Sequence, residues 1–194
     1  MSIGLMTEIE AVNAIISVAG DAPVTSLSGD YEQAEIARRI LSKISRDEQT
    51  KGLWFNEVND LLISQNINGE INLPASTISA EAQGDNGELV QRGLRMFNRA
   101  SNTYTINADV YINLIELLEW ELLPQSFRAY VVAKSKEEYN NEYFGSQEVA
   151  RTVERAIAET YIVMRTEDLK SKDINILNNV RSRNIAFSNR RLGR

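Results

Sequence analysis

The 194-residue sequence contains no cysteine and no histidine. Without cysteine there is no disulfide framework and no thiolate metal site. That absence fits assembly in a reducing cytoplasm. Without histidine there is no Ser-His-Asp or Cys-His chemistry, no imidazole general base and no His-ligated zinc. The remaining catalytic options are a carboxylate pair, a Ser-Lys dyad or an all-oxygen site for magnesium or calcium. Long apolar runs are lacking too, and none approaches the length needed to span a bilayer. The segment Met1-Ser2-Ile3-Gly4-Leu5 has neither a basic region nor an apolar stretch of the kind a signal peptide carries.

Acidic residues are missing from one region only. The last is Asp173, and Arg181, Arg183, Arg190, Arg191 and Arg194 follow it. The net charge is −6; residues 174–194 carry +5, which leaves −11 on residues 1–173. Such asymmetry suggests a basic tail that seeks an acidic partner, against the plainer reading of a solvated terminus. Hydrophobic residues make up 43% and charged residues 25%, the composition of a globular protein with room for a core.

Helix signals occupy both ends. Thr7-Glu8-Ile9-Glu10 is a capping box, followed by apolar Ile9, Val12, Ile15, Ile16 and Ala19 and closed by Gly20. This predicts a helix over 8–19. Asp30, as N-cap with Gln33 three residues on, predicts a second over 31–51, with Ala34, Ala37, Leu41 and Ile44 on one face. Pro124, as first helical residue, opens a third over 124–143, with Phe127, Val131, Lys134 and Glu138 sharing one side. Ser146 caps a fourth over 147–168, with Val149, Val153, Ala156, Ile157, Thr160 and Met164 as its inner stripe, fading near Leu169.

Between these ends the pattern changes. Asn68-Gly69 predicts a type I′ hairpin joining Leu61-Leu62-Ile63 to Ile71–Leu73. A segment from Pro74 through Ile78 follows, then a polar loop over 83–87. Met96-Phe97, Tyr104–Ile106 and Val110–Leu118 read as strands, the last from the alternation of Val110, Ile112 and Leu114. The expected fold is α+β, a helical bundle from both chain ends with an inserted small antiparallel β lobe. Residues 1–53 and 122–170 form the bundle, 54–121 the lobe, and 171–194 a basic C-terminal arm.

Few residues invite chemistry. Glu116, Glu119 and Glu121 cluster at the lobe's end; a carboxylate pair cleaves glycosides only in a suitable cleft, and surface charge is the plainer reading. Ser135 and Lys136 are helix neighbours pointing different ways, a poor dyad. Gly84-Asp85-Asn86-Gly87 lacks the lysine and helix of a phosphate loop. Trp54-Phe55 is either a ligand platform or, more commonly, core at a domain junction. No catalytic residue, metal or cofactor is expected.

Several blocks occur together in order. They are Glu8–Asn13, Gly20–Leu27, Ala37–Leu41, Gly52–Asn56, Leu123–Lys134 and Tyr139–Val149, the last two containing Phe127-Arg128 and Tyr139-Asn140-Asn141-Glu142-Tyr143-Phe144-Gly145. As a set they resemble the tail tubular protein A family of short-tailed bacteriophages, over most of residues 8–165. The β lobe's loops and the basic C-terminus depart from the pattern. The resemblance implies a structural virion protein and not an enzyme. It implies an adaptor ring of twelve copies below the portal, assembled in the host cytoplasm. The helical lobe would face the portal and the β lobe the tail nozzle, tubular protein B, with double-stranded DNA passing through the lumen during ejection. In that setting Arg181, Arg183, Phe187, Arg190, Arg191 and Arg194 are the candidate contacts to portal or neighbouring subunit. Two other readings compete: a tail-associated, carboxylate-dependent polysaccharide hydrolase, and a non-specific DNA-binding module using the arginine tail.

Overall fold

The structure is a computed structural model that describes residues 4–28, 31–84 and 87–178. Helix α1 (Glu8–Ile16) starts where the capping box predicts, with Glu10 N donating to Thr7 Oγ1 and Thr7 N donating to Glu10 Oε2. It tightens into a 3-10 turn over Ser17–Ala19 and stops at Gly20, whose φ of 82° suits a residue without Cβ. Helix α2 (Glu32–Gln49) starts one residue later than predicted. Its N-cap is Tyr31, in extended conformation and with no side-chain cap bond, while Asp30 lies outside the described residues. Helix α3 (Gln125–Tyr139) has Pro124 as its N-cap and not its first helical residue, because ψ there is an extended 150°. A π turn over Asn140–Phe144 ends it, and Gly145 at φ 68° releases the chain into α4 (Gln147–Asn178). Helix α4 thus continues past the expected fade at Leu169.

Helix α3 lies at the centre, with α1, α2 and α4 all packed on it. Phe127, Tyr130, Val131, Val132, Ala133 and Tyr139 of α3 are all buried. The side carrying Phe127, Val131, Lys134 and Glu138 faces α2: Lys134 Nζ donates to Glu48 Oε1 at 2.6 Å and Lys43 Nζ to Glu138 Oε1 at 2.7 Å. The buried Glu48 also accepts from Lys51 at 2.6 Å. Burial alone would push the Glu48 carboxyl up; the bonds and charges of Lys134 and Lys51 outweigh it and hold the group below its ordinary value.

The lobe is one antiparallel sheet of β1 (Glu57–Ile63), β2 (Thr77–Ala82), β3 (Leu89–Arg92), β4 (Arg95–Asn98) and β5 (Val110–Glu116), in the order β1-β5-β2-β3-β4. The alternation in β5 is real, with Ile112 and Leu114 buried. The predicted hairpin is not. Strand β1 pairs with β5, Leu61 opposite Ile112 and Ile63 opposite Val110. Asn68-Gly69 does turn the chain, through Gly69 at φ 73° and an Asn66 carboxamide oxygen that accepts from Asn68 N and Glu70 N. After the turn, Ile71 and Leu73 enter the lobe's core and touch the chain near β4 through single bonds, Met96 N to Ile71 O and Leu73 N to Leu94 O. Tyr104–Ile106 likewise forms no strand: it makes one isolated bridge, Glu70–Thr105, and a bond from Ile106 N to Gly69 O. Strand β3 was not predicted, and β2 runs beyond Ile78.

The two lobes have separate cores. One centres on Ile15, Ile16, Ile40, Leu41 and Phe127, the other on Ile71, Met96, Ile112 and Leu114. No helix among the described residues is long and apolar enough to cross a membrane.

Candidate functional site

The polar residues of the sequence blocks act on backbone. Asn13 of α1 clamps Val24, donating from Nδ2 to its carbonyl and accepting its N–H. Asn140 closes the π turn in the same two-way fashion on Ser146. Arg128, only 3% exposed, donates to the carbonyls of Leu123, Met6 and Glu121, and so ties the start of α3 to the start of the chain. Burial pulls its guanidinium below the ordinary value, against the opposing charge of Glu121.

The lobe junction is built the same way. Gln49 at the end of α2 is fully buried; its carboxamide donates to Leu118 O and accepts from Leu118 N. Asn56 donates to Gln49 O and Glu116 O, and accepts from Leu53 N. Helix α4 reaches this point from outside. Asp168, with no exposed surface, accepts from Trp54 N and pairs with Arg165 and Lys172; Lys172 also reaches Glu57 at 3.3 Å. Sequence reasoning missed Asp168. The signal was an acid placed four residues beyond Met164 on an otherwise apolar stripe.

A groove of about 560 Å³ opens at the junction between α2 and residues 117–121. Glu8, Arg46, Ser42, Ala75, Ser76 and Trp120 line it together with Glu119 and Glu121. Glu116 instead accepts a bond from Ser76 at 2.7 Å. Glu119 and Glu121 are both exposed to solvent. A general acid needs a more enclosed, apolar setting than this. Ser135 is buried and donates to Val131 O, so it makes no dyad with Lys136. Trp54 and Phe55 are half-buried against the bundle core, edge to face with each other at 5.0 Å, and Phe55 lies 4.9 Å from the Phe127 ring. Among the described residues no group of three or more carboxylates is placed to hold a metal.

Helix α4 presents the largest apolar exposure. Of its predicted inner stripe only Val153 and Met164 are buried, with Asp168 the other buried residue among the described side chains of α4, while Tyr161, Ile162, Val163 and Leu169 are 44%, 64%, 54% and 51% exposed. In the β lobe, Ile67 on the 66–69 turn is fully exposed. Neighbouring apolar side chains left open like this mark contacts with other chains.

The sequence profile of a family described as Tail tubular protein matches residues 9–174. The chain belongs to the tail tubular protein family. It is also similar to Tail tubular protein A of Klebsiella phage KP34, with 21% identity over 161 residues, covering 82% of this chain and 86% of that protein. A tail tubular protein is a structural component of the phage tail, and it assembles with other virion proteins. The six predicted contact residues, Arg181, Arg183, Phe187, Arg190, Arg191 and Arg194, lie outside the described residues.

Proposed function

We propose that this tail tubular protein is the adaptor of a short-tailed phage, a ring of twelve copies seated between portal and tail nozzle. The helical lobe meets the portal, the β lobe meets the nozzle protein, and double-stranded DNA passes through the lumen unread. The ring is assembled in the host cytoplasm and does no catalysis. The observation that carries this reading is the exposed apolar pair Ile162 and Leu169, seven residues apart on one face of α4, with a groove of different shape and charge opening at α2. A closed ring of identical subunits needs two unlike patches on each copy, since its contacts run head to tail. The acidic body, −11 over residues 1–173, gives DNA phosphates no reason to stick. The basic segment beyond it, with Arg181, Arg183, Phe187, Arg190, Arg191 and Arg194, is assigned to portal or neighbouring subunit.

The test is the mass of the purified protein by light scattering, alone and with portal. A twelve-fold multiple of the single-chain mass is expected, at least when portal is present. A single-chain mass under both conditions sinks the ring. Turnover of a bacterial polysaccharide by pure protein, lost in Glu119→Gln, would overturn the non-enzymatic part.

A further inference from the structure

We infer that neighbouring copies in the ring join through opposite margins of the β sheet, the β3–β4 hairpin of one copy against the β1–β5 margin of the next. The inference rests on the ring reading. Three observations carry it. The first is charge. Between Lys51 and Arg128 the only cations are Arg92, Arg95 and Arg99, all exposed on or beside the hairpin. Arg95 is taken by Glu70 at 3.3 Å, which leaves Arg92 and Arg99 without an acid among the described residues. Strands β1 and β5 hold no cation. Their acids Glu57 and Glu116 are bound by Lys172 and Ser76. Asp60 on β1 and Asp109 just before β5 are exposed, and among the described residues they meet only neutral donors, Gln83 for the one and Ser64 and Gln65 N for the other. One margin thus offers spare cations and the other spare carboxylates.

The second is preparation for contact. The Arg92 guanidinium lies 3.5 Å over the Phe97 ring, and Arg99 is held by the carbonyl of Gly87. Arginines fixed in this way lose little freedom on meeting a carboxylate. Each margin also has apolar surface to bury: Leu94 at the hairpin turn is 46% exposed, and Leu62 and Tyr111, paired across β1 and β5, are 49% and 53% exposed. Arginine and aromatic residues with apolar neighbours suit a protein partner. The third is position. The strand order β1-β5-β2-β3-β4 puts the two margins roughly 19 Å apart, too far to meet within one copy. They are nonetheless level. Leu62 faces Tyr111, Tyr111 O accepts from Gln83 N, Glu81 faces Val90, and Arg99 N donates to Glu88 O, so the register carries Leu62 across to Arg99 on one rung. The strands run away from the bundle, hence along the portal-to-nozzle axis, and rotation about that axis brings like rungs together. Two unlike, level patches on opposite sides are what a head-to-tail contact requires.

The test is a charge swap on the full chain, Arg99→Glu beside the hairpin and Leu62→Arg on the other margin, both at exposed positions. Circular dichroism checks the fold, and light scattering follows assembly across concentration, alone and with portal. At low salt each variant should need about tenfold more protein than wild type for half assembly. High salt should shrink that gap. Mixing the two variants should restore assembly, because the new acid of one chain then meets the new cation of the other while the second contact between them is wild-type. Arg92→Gln, which keeps its stem near Phe97, should give a milder loss and serves if a reversal unfolds the chain. Assembly of the single variants at wild-type concentrations, or a mixture no better than its parts, would overturn the pairing and leave the ring standing. Unchanged assembly of Arg99→Glu with weakened binding to the nozzle protein or to duplex DNA would give the hairpin to that partner instead. A single-chain mass for wild type, alone and with portal, would overturn pairing and ring together.

Discussion

The bundle and the β lobe solve the same problem in different ways. The bundle packs three helices around α3, and its polar staples, Asn13, Arg128 and Asn140, all end on backbone. The lobe has a smaller core, centred on Ile71, Met96, Ile112 and Leu114, and one sheet that packs on no helix of its own. Small cores leave little margin after chain entropy is counted. What the lobe has in addition is the junction, where Gln49 and Asn56 bond it to the end of α2. The difference teaches that the bundle is self-sufficient and the lobe depends on its attachment.

The sharpest way to break this contrast is to open a cavity in each core. Phe127→Ala should cost about 3–5 kcal/mol, through lost burial and the void left behind. Urea denaturation should show the loss, and hydrogen exchange should show unprotected amides in α1 to α3 and in the sheet alike. Protection retained in the sheet would mean the lobe stands alone. Ile112→Ala should cost about 2–5 kcal/mol, with exchange rising in β1, β2 and β5 while the helices stay closed. Opening of the helices would remove the asymmetry between the lobes.

Gln49→Ala tests the attachment itself. It leaves Leu118 N–H and C=O without their partner and should cost about 1–3 kcal/mol. The expected signature is a denaturation curve that splits into two steps, lobe first. One cooperative step at reduced midpoint would show that the lobes stay coupled without the bond.

Acid should act on the bundle before the sheet. The Glu48 carboxyl is held below its unfolded value by Lys134 and Lys51, so its stabilisation is fully present above the usual glutamate value of about 4.3 and is lost as pH falls through the depressed folded value. The urea midpoint should therefore drop on acidification in the wild type, and Glu48→Gln should remove that part of the drop. An identical pH profile in both proteins would rule the group out. The smallest effect is expected at Ile67→Ser, within about 0.5 kcal/mol, because the side chain touches nothing that holds the fold. A large loss of stability there would mean that the turn is packed; weakened binding to the nozzle protein with stability intact would mark it as a partner contact.

The same contrast governs what was legible in sequence. Helix α1 could be read almost to the residue because Thr7 and Glu10 act within one turn. The end of α4 was misread because Lys170–Asp173 interrupt the apolar pattern with polar residues, yet no glycine or proline follows before Asn178, and nothing local stops a helix there. In the lobe, β5 was legible from its own alternation, while its partner was not. Strand β1 joins β5 across the whole lobe, and a local Asn-Gly signal says nothing about so distant a pairing. Strand β2, Thr-Ile-Ser-Ala-Glu-Ala, has weak strand propensity and gets its order from two neighbours. The blocks that revealed the family were recognised as patterns, but their roles were hidden. Arg128 reads as a surface charge until the carbonyls of Met6, Leu123 and Glu121 are seen around it.

The two ends of the lobe leave the bundle side by side. Glu116 N donates to Asn56 O at 2.9 Å, and Asn56 Nδ2 donates to Glu116 O at 2.8 Å, so entry and exit are held one hydrogen bond apart. The entropy cost of closing a chain across that gap grows only slowly with the length spliced between the ends, by about 0.6 kcal/mol per doubling. The lobe is thus an insertion cassette: a relative's sheet of another length or loop pattern can be grafted between Asn56 and Glu116 without moving a helix. The surface the lobe presents can change while the packing of the bundle stays as it is.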